Sequence, residues 1–210
     1  VSGFLYAIKI KETWFRSLQE EAMIEESHYS THIEGTNITL EQAKKILMGK
    51  KVADVPTDVQ KEVKNYCLAM TFVSKYLGKK DPITEGLLRE IHKILVKGVR
   101  GDKAQPCNYR KIQNYIINSI TREVVYTPPQ AMEVPILMRE LVNWLNSETE
   151  KISPVIASGI AQFQFEYIHP FLDGNGRTGR LLSTLILYKT GYDFKRLFKF
   201  FLAPFNSSVP

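Results

Sequence analysis

The chain has 210 residues, a formal net charge of +6, 44% apolar residues and 24% charged ones, which is an ordinary globular composition. No apolar run approaches the ~18–20 residues of a membrane span. The two cysteines, Cys67 and Cys107, are too few for a disulfide framework and lack a zinc spacing. The lysines are scattered, as in KKILMGKK and LGKKD, so a solvated surface is expected rather than a nucleic-acid face. The opening VSGFLYAIKIK lacks a cleavage-site pattern, so no signal peptide is expected, and a reducing, cytoplasmic compartment is the default.

Along the chain, helical periodicity dominates. Thr39-Leu40-Glu41-Gln42 reads as a capping box for a short helix to about Met48. Pro56-Thr57-Asp58 opens a long helix whose apolar face carries Val59, Val63, Tyr66, Met70, Val73 and Leu77. Leu87, Leu88, Ile91, Ile94 and Leu95 mark another, stopped by Gly98. Ile112 to Tyr126 breaks the pattern: it is rich in β-branched and aromatic residues and predicts a hairpin turning near Ser119 to Arg122. Val134, Leu137, Leu141, Trp144 and Leu145 return to helical spacing. Ser153-Pro154 opens a helix to about Ile168, with Ser as N-cap and Pro at the first helical position. That helix and the segment Leu181 to Tyr188, closed by Gly191, are apolar on nearly every side, which predicts the middle of a bundle. Leu202 to Pro210 reads as a frayed tail. The expected fold class is all-α, a compact bundle of about seven to nine helices with one small β-hairpin.

Between the two most apolar helices lies HPFLDGNGRTGR, residues 169 to 180. His169 precedes a proline, which pushes it out of helical geometry and ends the helix there. Its ordinary pKa of ~6.5 suits a general base for a hydroxyl, although a core histidine satisfied by a carbonyl is the plain alternative. Phe171 reads as a plug that pins the loop to the core. Asp173 is an oxygen ligand suited to Mg²⁺ beside phosphate oxygens, or else a helix N-cap. Gly174-Asn175-Gly176 can turn successive N–H groups inward as an anion nest, with a helix expected to start at about Arg177. Arg177 and Arg180 share one face of that helix, and two arginines on a first turn sit at the unfavourable dipole end unless an anion is bound there. Gly174, Gly176 and Gly179 also spell GxGxxG, but that fingerprint must follow a strand, and here it follows a helix. The P-loop reading fails likewise, because Arg180 and Leu181 replace its lysine and hydroxyl.

Residues 169–180 resemble the signature of the Fic family, HPFx[D/E]GNGRxxR, at every specified position, and the resemblance extends from about Ser30 to Phe198. It implies transfer of AMP from ATP to a Ser, Thr or Tyr hydroxyl of a target protein, self-modification included. His169 would deprotonate the hydroxyl and Asp173 would hold Mg²⁺. Gly174, Asn175 and Gly176 would form the anion hole, with Arg177 and Arg180 on the outer phosphates. Glycine at 176 favours AMP transfer, since the related Doc kinases carry lysine there. The hairpin resembles the family's flap, with Ile112, Tyr115, Ile116 and Ile117 docking a target segment by strand addition. Asn108-Tyr109-Arg110 resembles the usual G-x-[YF]-R, with Cys107 in the glycine position.

Ser30-x-x-x-Glu34-Gly35 resembles a second family motif, [ST]xxxE[GN]. It implies an inhibitory helix within residues 1–38 ahead of a single core, 39–210, with Glu34 pairing with Arg180. In some relatives the same glutamate serves AMP removal. Relatives also continue past Phe198 with a tyrosine-rich helix lining the nucleoside pocket; here the chain reads FFLAPFNSSVP, so the adenine side of that pocket is expected to differ. A catalytically impaired nucleotide- or peptide-binding module is the competing expectation. Oligomeric state stays open, a homo-oligomer included.

Overall fold

The computed structural model describes residues 12–76, 81–99, 105–118 and 120–192. Among them are seven helices: α1 (Glu12–Ile33), α2 (Leu40–Leu47), α3 (Thr57–Tyr76), α4 (Glu85–Val96), α5 (Val134–Ser147), α6 (Pro154–Ile168) and α7 (Asn175–Lys189). Strands β1 (Ile116–Ile117) and β2 (Val124–Tyr126) form the one small sheet seen there. The all-α expectation holds. The tail from Leu202 and the last residues of the resemblance, up to Phe198, lie outside the described residues.

The capping box forms as read: Gln42 N–H donates to Thr39 Oγ1, and Thr39 N–H donates to Gln42 Oε1 at 2.8 Å. Pro154 takes the first position of α6, but the Ser153 hydroxyl makes no capping bond. The core lies among α3, α4, α5, α6 and α7, around Tyr66, Leu88, Ile91, Leu145, Phe165 and Leu181, all fully buried. Truncating one of these leucines to alanine would cost about 2–5 kcal/mol. A smaller cluster of Ile38, Ala43, Ile46 and Val63 joins α2 to α3.

The two helices flanking the loop differ in a way the sequence does not announce. α7 is buried from Asn175 to Leu187 on every side but Gly176, as its composition implies. α6 is not enclosed. It packs extensively on α7 through Ala157, Ala161, Phe165 and Ile168, while Val155, Ile156, Ile160 and Phe163 face solvent. Composition alone cannot separate a helix covered on all sides from one covered on a single face.

α1 is attached unusually, because its buried residues are mostly polar: Glu26, Ser27, His28, Ser30 and Thr31. Such groups are costly to bury unless hydrogen-bonded, and most find partners. The Ser30 hydroxyl donates to Tyr66 Oη at 2.9 Å, and the Thr184 hydroxyl donates to Glu26 Oε1 at 3.1 Å. α1 is therefore tied to α3 and α7 more by hydrogen bonds than by apolar packing. The hairpin is shorter than its composition predicts. Only Ile116↔Tyr126 and Ile117↔Val124 pair, leaving Ile112 and Tyr115 outside the ladder. Asn118 Oδ1 accepts from the N–H groups of Ile120 and Thr121 and shapes the turn.

Candidate active site

α6 ends where proline dictates. His169 is its C-cap, in the left-handed region at φ 50°, ψ 59°, with its N–H bonded to Phe165 O. Non-glycine residues enter that region at a cost of about 1–2 kcal/mol, so other contacts must hold it there. Arg110 supplies them. Its buried guanidinium donates from Nε to His169 O at 2.9 Å and from Nη2 to Ile168 O and Pro129 O, while its N–H bonds Pro170 O. The guanidinium thus satisfies carbonyls that a helix end leaves open.

A second brace comes from His92 on α4. Its Nδ1 accepts the N–H of Cys107 at 3.1 Å, so its Nε2–H donates to Asp173 O at 2.9 Å. The ring stacks on Phe171 with centroids 3.7 Å apart. Burial pulls the His92 pKa down to about 4, against the Asp173 carbonyl and carboxylate, which raise it. Phe171 is the plug expected of it, fully buried between His92, Tyr109 and Phe165. Arg110 is the arginine of the G-x-[YF]-R resemblance, whose bracing role the pattern does not state, and His92 is signalled by no motif. Cys107 itself adopts φ 60°, the conformation a glycine takes without strain.

The turn into α7 needs glycine at 174. Its φ is 78°, and a Cβ there would stand 2.9 Å from Val96 Cγ1 and 3.3 Å from His92 Cδ2. Gly174, not Asp173, is the N-cap, and α7 begins at Asn175, two residues earlier than the expected start. Asp173 Oδ1 instead accepts the Gly174 N–H at 2.6 Å. The Asn175 side chain faces inward and closes the loop: Oδ1 accepts from Phe171 N–H at 2.9 Å, and Nδ2 donates to Phe171 O at 2.8 Å. Its amide is thus spent on loop structure, leaving only its backbone for an anion.

Arg177 is the most telling residue. It is wholly buried, and Nε, Nη1 and Nη2 all lack a hydrogen-bond acceptor among the described residues. Its ion pair with Asp173 Oδ1, at 3.7 Å, is too long for a hydrogen bond. A buried guanidinium with three idle donors is costly unless an anion completes it. Here it lies in the first turn of a helix, where the dipole also favours an anion.

Arg180 is engaged differently. Its Nη2 donates to Glu34 Oε1 at 2.7 Å and to Ser30 O at 2.9 Å. Glu34 stands one residue past α1, and Gly35 follows at φ 93°. The Glu34 carboxylate rests on Gly176, in the space a Cβ there would need. An acidic group of the chain itself therefore occupies the N-terminal end of α7.

His169 is half-buried. Burial pulls its pKa below the ordinary value, opposed by the Glu166 carbonyl, and its Nδ1 is enclosed without a hydrogen-bond partner of good geometry among the described residues. A lowered pKa keeps the ring in its proton-accepting form at neutral pH. The site residues read from the loop and from Ser30 and Glu34 thus converge on one helix start. Of the flap residues, Ile116 and Ile117 lie in β1, and Ile112, Tyr115 and Ile117 are exposed. The hairpin is tied to the end of α6 by Tyr126, whose hydroxyl donates to Tyr167 O at 2.8 Å.

The Fic/DOC family model matches residues 82–187. Protein adenylyltransferase Fic of Drosophila willistoni is 32% identical over 190 residues, which cover 90% of this chain and 36% of the relative. The protein of the same name from Drosophila melanogaster is 32% identical, with 90% of this chain and 37% of the relative covered. The chain thus spans little more than a third of the length of these curated relatives. Among solved structures, a Fic domain containing signaling protein from Bacteroides thetaiotaomicron matches with a TM-score of 0.80 at 27% identity, covering 87% of this chain and 68% of that one. A Fic family protein from Desulfovibrio desulfuricans matches with a TM-score of 0.76 at 32% identity, covering 91% and 55%. A family model that takes in α4, the hairpin, the loop and α7, together with relatives aligned from end to nearly end of this chain, leaves one assignment: the chain belongs to the Fic/DOC family.

Proposed function

We propose that this chain is a protein adenylyltransferase held in an inhibited state by Glu34. The observation that carries the proposal is the buried guanidinium of Arg177, without an acceptor among the described residues, beside Asp173 at a helix start already covered by a carboxylate. The names of the curated relatives support the same reaction class. In this reading residues 1–38 carry the inhibitory segment and 39–210 the core.

His169 takes the proton from a Ser, Thr or Tyr hydroxyl of the target. The hydroxyl oxygen bonds to the α-phosphorus of ATP, the bond to the bridging oxygen of the β-phosphate breaks, and pyrophosphate leaves. Arg177 and the first N–H groups of α7 meet the phosphate charge, so catalysis rests on positioning and neutralisation. Asp173 suits Mg²⁺. It is a single carboxylate 3.7 Å from the Arg177 guanidinium, and Mg²⁺ binds through one or two carboxylates plus phosphate oxygens. Bound there, Mg²⁺ would supply charge neutralisation.

Glu34 excludes this state by holding Arg180 and by standing on Gly176. The exposed β1 edge and the side chains of Ile112, Tyr115 and Ile117 are the docking surface proposed for the target. Incubation with α-³²P-ATP and Mg²⁺ tests the reading: Glu34→Gly raises labelling of the chain or of a target, and His169→Ala in that background abolishes it. Equal weak labelling in all three chains overturns it.

A further inference from the structure

Two carboxylates, not one, converge on Arg180. Glu34 rests on Gly176, and Glu166, in the last turn of α6, places Oε1 3.0 Å from where a Cβ on Gly179 would stand. Gly176 and Gly179 are three apart and share a face of α7, and Glu166 feels the charges of both Arg180 and Glu34. Glu166 is half-buried and has no hydrogen-bond donor among the described residues. Arg180, for its part, spends Nη2 on Glu34 and Ser30 but keeps a buried Nε with no acceptor. A donor and an acid, neither with a hydrogen-bond partner among the described residues, thus lie on the two helices α7 and α6, which pack on one another more extensively than any other described pair. Motif reading passes over Glu166, because it lies before the signature and looks like a helix-surface acid.

We propose that Glu166 is the alternative partner of Arg180: when Glu34 leaves, Glu166 takes the guanidinium and holds it toward the bound phosphates. It is a positioning residue, acting through Arg180. The inference deepens the adenylyltransferase reading and rests on it for the nucleotide.

The electrostatics agree. Burial pushes the Glu166 carboxyl up to about 7; Arg180 pulls it down and Glu34 pushes it up further. The groups facing it are Arg180 on α7 and Glu34 after α1, while His169, one turn on in α6, looks toward its backbone carbonyl. With Glu34 present, one guanidinium serves two acids, and the Glu166 carboxyl stays above the ordinary carboxylate range. Removing Glu34 leaves Arg180 to Glu166 alone, which then ionises. A charge-assisted arginine–carboxylate contact orients the fork far better than a neutral amide does.

The test uses the full chain and Glu166→Gln, which keeps shape and removes charge. In the Glu34→Gly background, Glu166→Gln is expected to raise KM for ATP about tenfold with kcat within about twofold, one charge-assisted contact being worth roughly that. With Glu34 present, the same substitution leaves ATP affinity, measured by calorimetry with Mg²⁺, within about twofold. Equal effects in both backgrounds, or none in Glu34→Gly, overturn the proposal. A second readout does not need turnover: the Glu166 side-chain carboxyl, followed by carbon NMR, titrates near 7 in the native chain and moves down by about a unit or more in Glu34→Gly. An unmoved midpoint also overturns it. Absence of AMP transfer by Glu34→Gly would instead strike the activity proposed above and leave this titration standing.

Discussion

Arg180 Nη2 and Glu34 Oε1 lie 2.7 Å apart, joining the second turn of α7 to the exit of α1 across most of the chain. The pair is largely buried, with 7% of the Arg180 side chain and 25% of the Glu34 side chain exposed, so it is not a screened surface contact of negligible worth. Its carboxylate also claims the volume over Gly176, so a side chain at 176 displaces the Glu34 carboxylate from its present place.

A double-mutant cycle measures that exclusion. Gly176→Ala should cost about 1–2 kcal/mol in the native chain, because Glu34 must leave its partner to admit a methyl group. In the Glu34→Gly chain the clash is gone, and the same change should be neutral or stabilising by up to about 1 kcal/mol, as alanine in a helix usually is. Urea unfolding of the four chains gives the coupling, expected at about 1 kcal/mol or more. Equal effects of Gly176→Ala in both backgrounds would contradict the observed placement of Glu34.

What the sequence reveals here follows how local each signal is. Thr39 with Gln42, Pro154 at a helix start, and the loop from His169 to Arg180 all announce themselves within a few residues. The Glu34–Arg180 pair spans the chain, yet it was legible through two motifs that name both partners. The bracing contacts of His92 and Arg110 were not, although a motif names Arg110, because their partners are backbone carbonyls and amides of distant segments, and carbonyls leave no trace in a residue pattern. Glu166 was hidden for a related reason, since only the fold brings it beside Gly179. The exposed face of α6 and the short hairpin show the limits of composition: apolar content says that a segment can be covered, not on how many sides.

Acid should loosen the loop through His92. Its ring must be neutral, because Nδ1 accepts the Cys107 N–H while Nε2–H serves Asp173 O. The folded pKa of about 4 lies below the ordinary 6.5, so the unfolded chain binds more protons between those values. The stability His92 contributes is therefore fully present above about pH 6.5 and is lost as pH falls toward 4. His169, also lowered, slopes the same way, whereas Glu166, raised to about 7, loses its contribution as pH rises from the ordinary carboxylate range. Because these slopes oppose one another, the readout is a difference. The stability gap between the native chain and His92→Gln should widen from about pH 4 to pH 6.5, by on the order of 3 kcal/mol. Urea midpoints across that range check it, and a gap independent of pH would show that His92 is not buried as a neutral ring.

Cys107 offers a test of the second brace. It stands where the family's G-x-[YF]-R pattern has glycine, and its φ of 60° is one that L residues adopt at a cost of about 1–2 kcal/mol. In that conformation its N–H donates to His92 Nδ1, and through that ring the Asp173 carbonyl and the Phe171 plug are held. Replacing Cys107 with glycine removes the steric strain but adds freedom to the unfolded chain, an offset of about 0.5–1 kcal/mol. Alanine keeps the strain and gains nothing. The expectation is that Cys107→Gly is more stable than Cys107→Ala by several tenths of a kcal/mol up to about 1 kcal/mol, with His92 titrating at the same low value in both. Thermal unfolding of the pair, with the His92 ring followed by proton NMR, decides it. An alanine variant as stable as the glycine one would mean that the backbone at 107 is not held left-handed in solution, and the link from Cys107 through His92 to the loop would be lost.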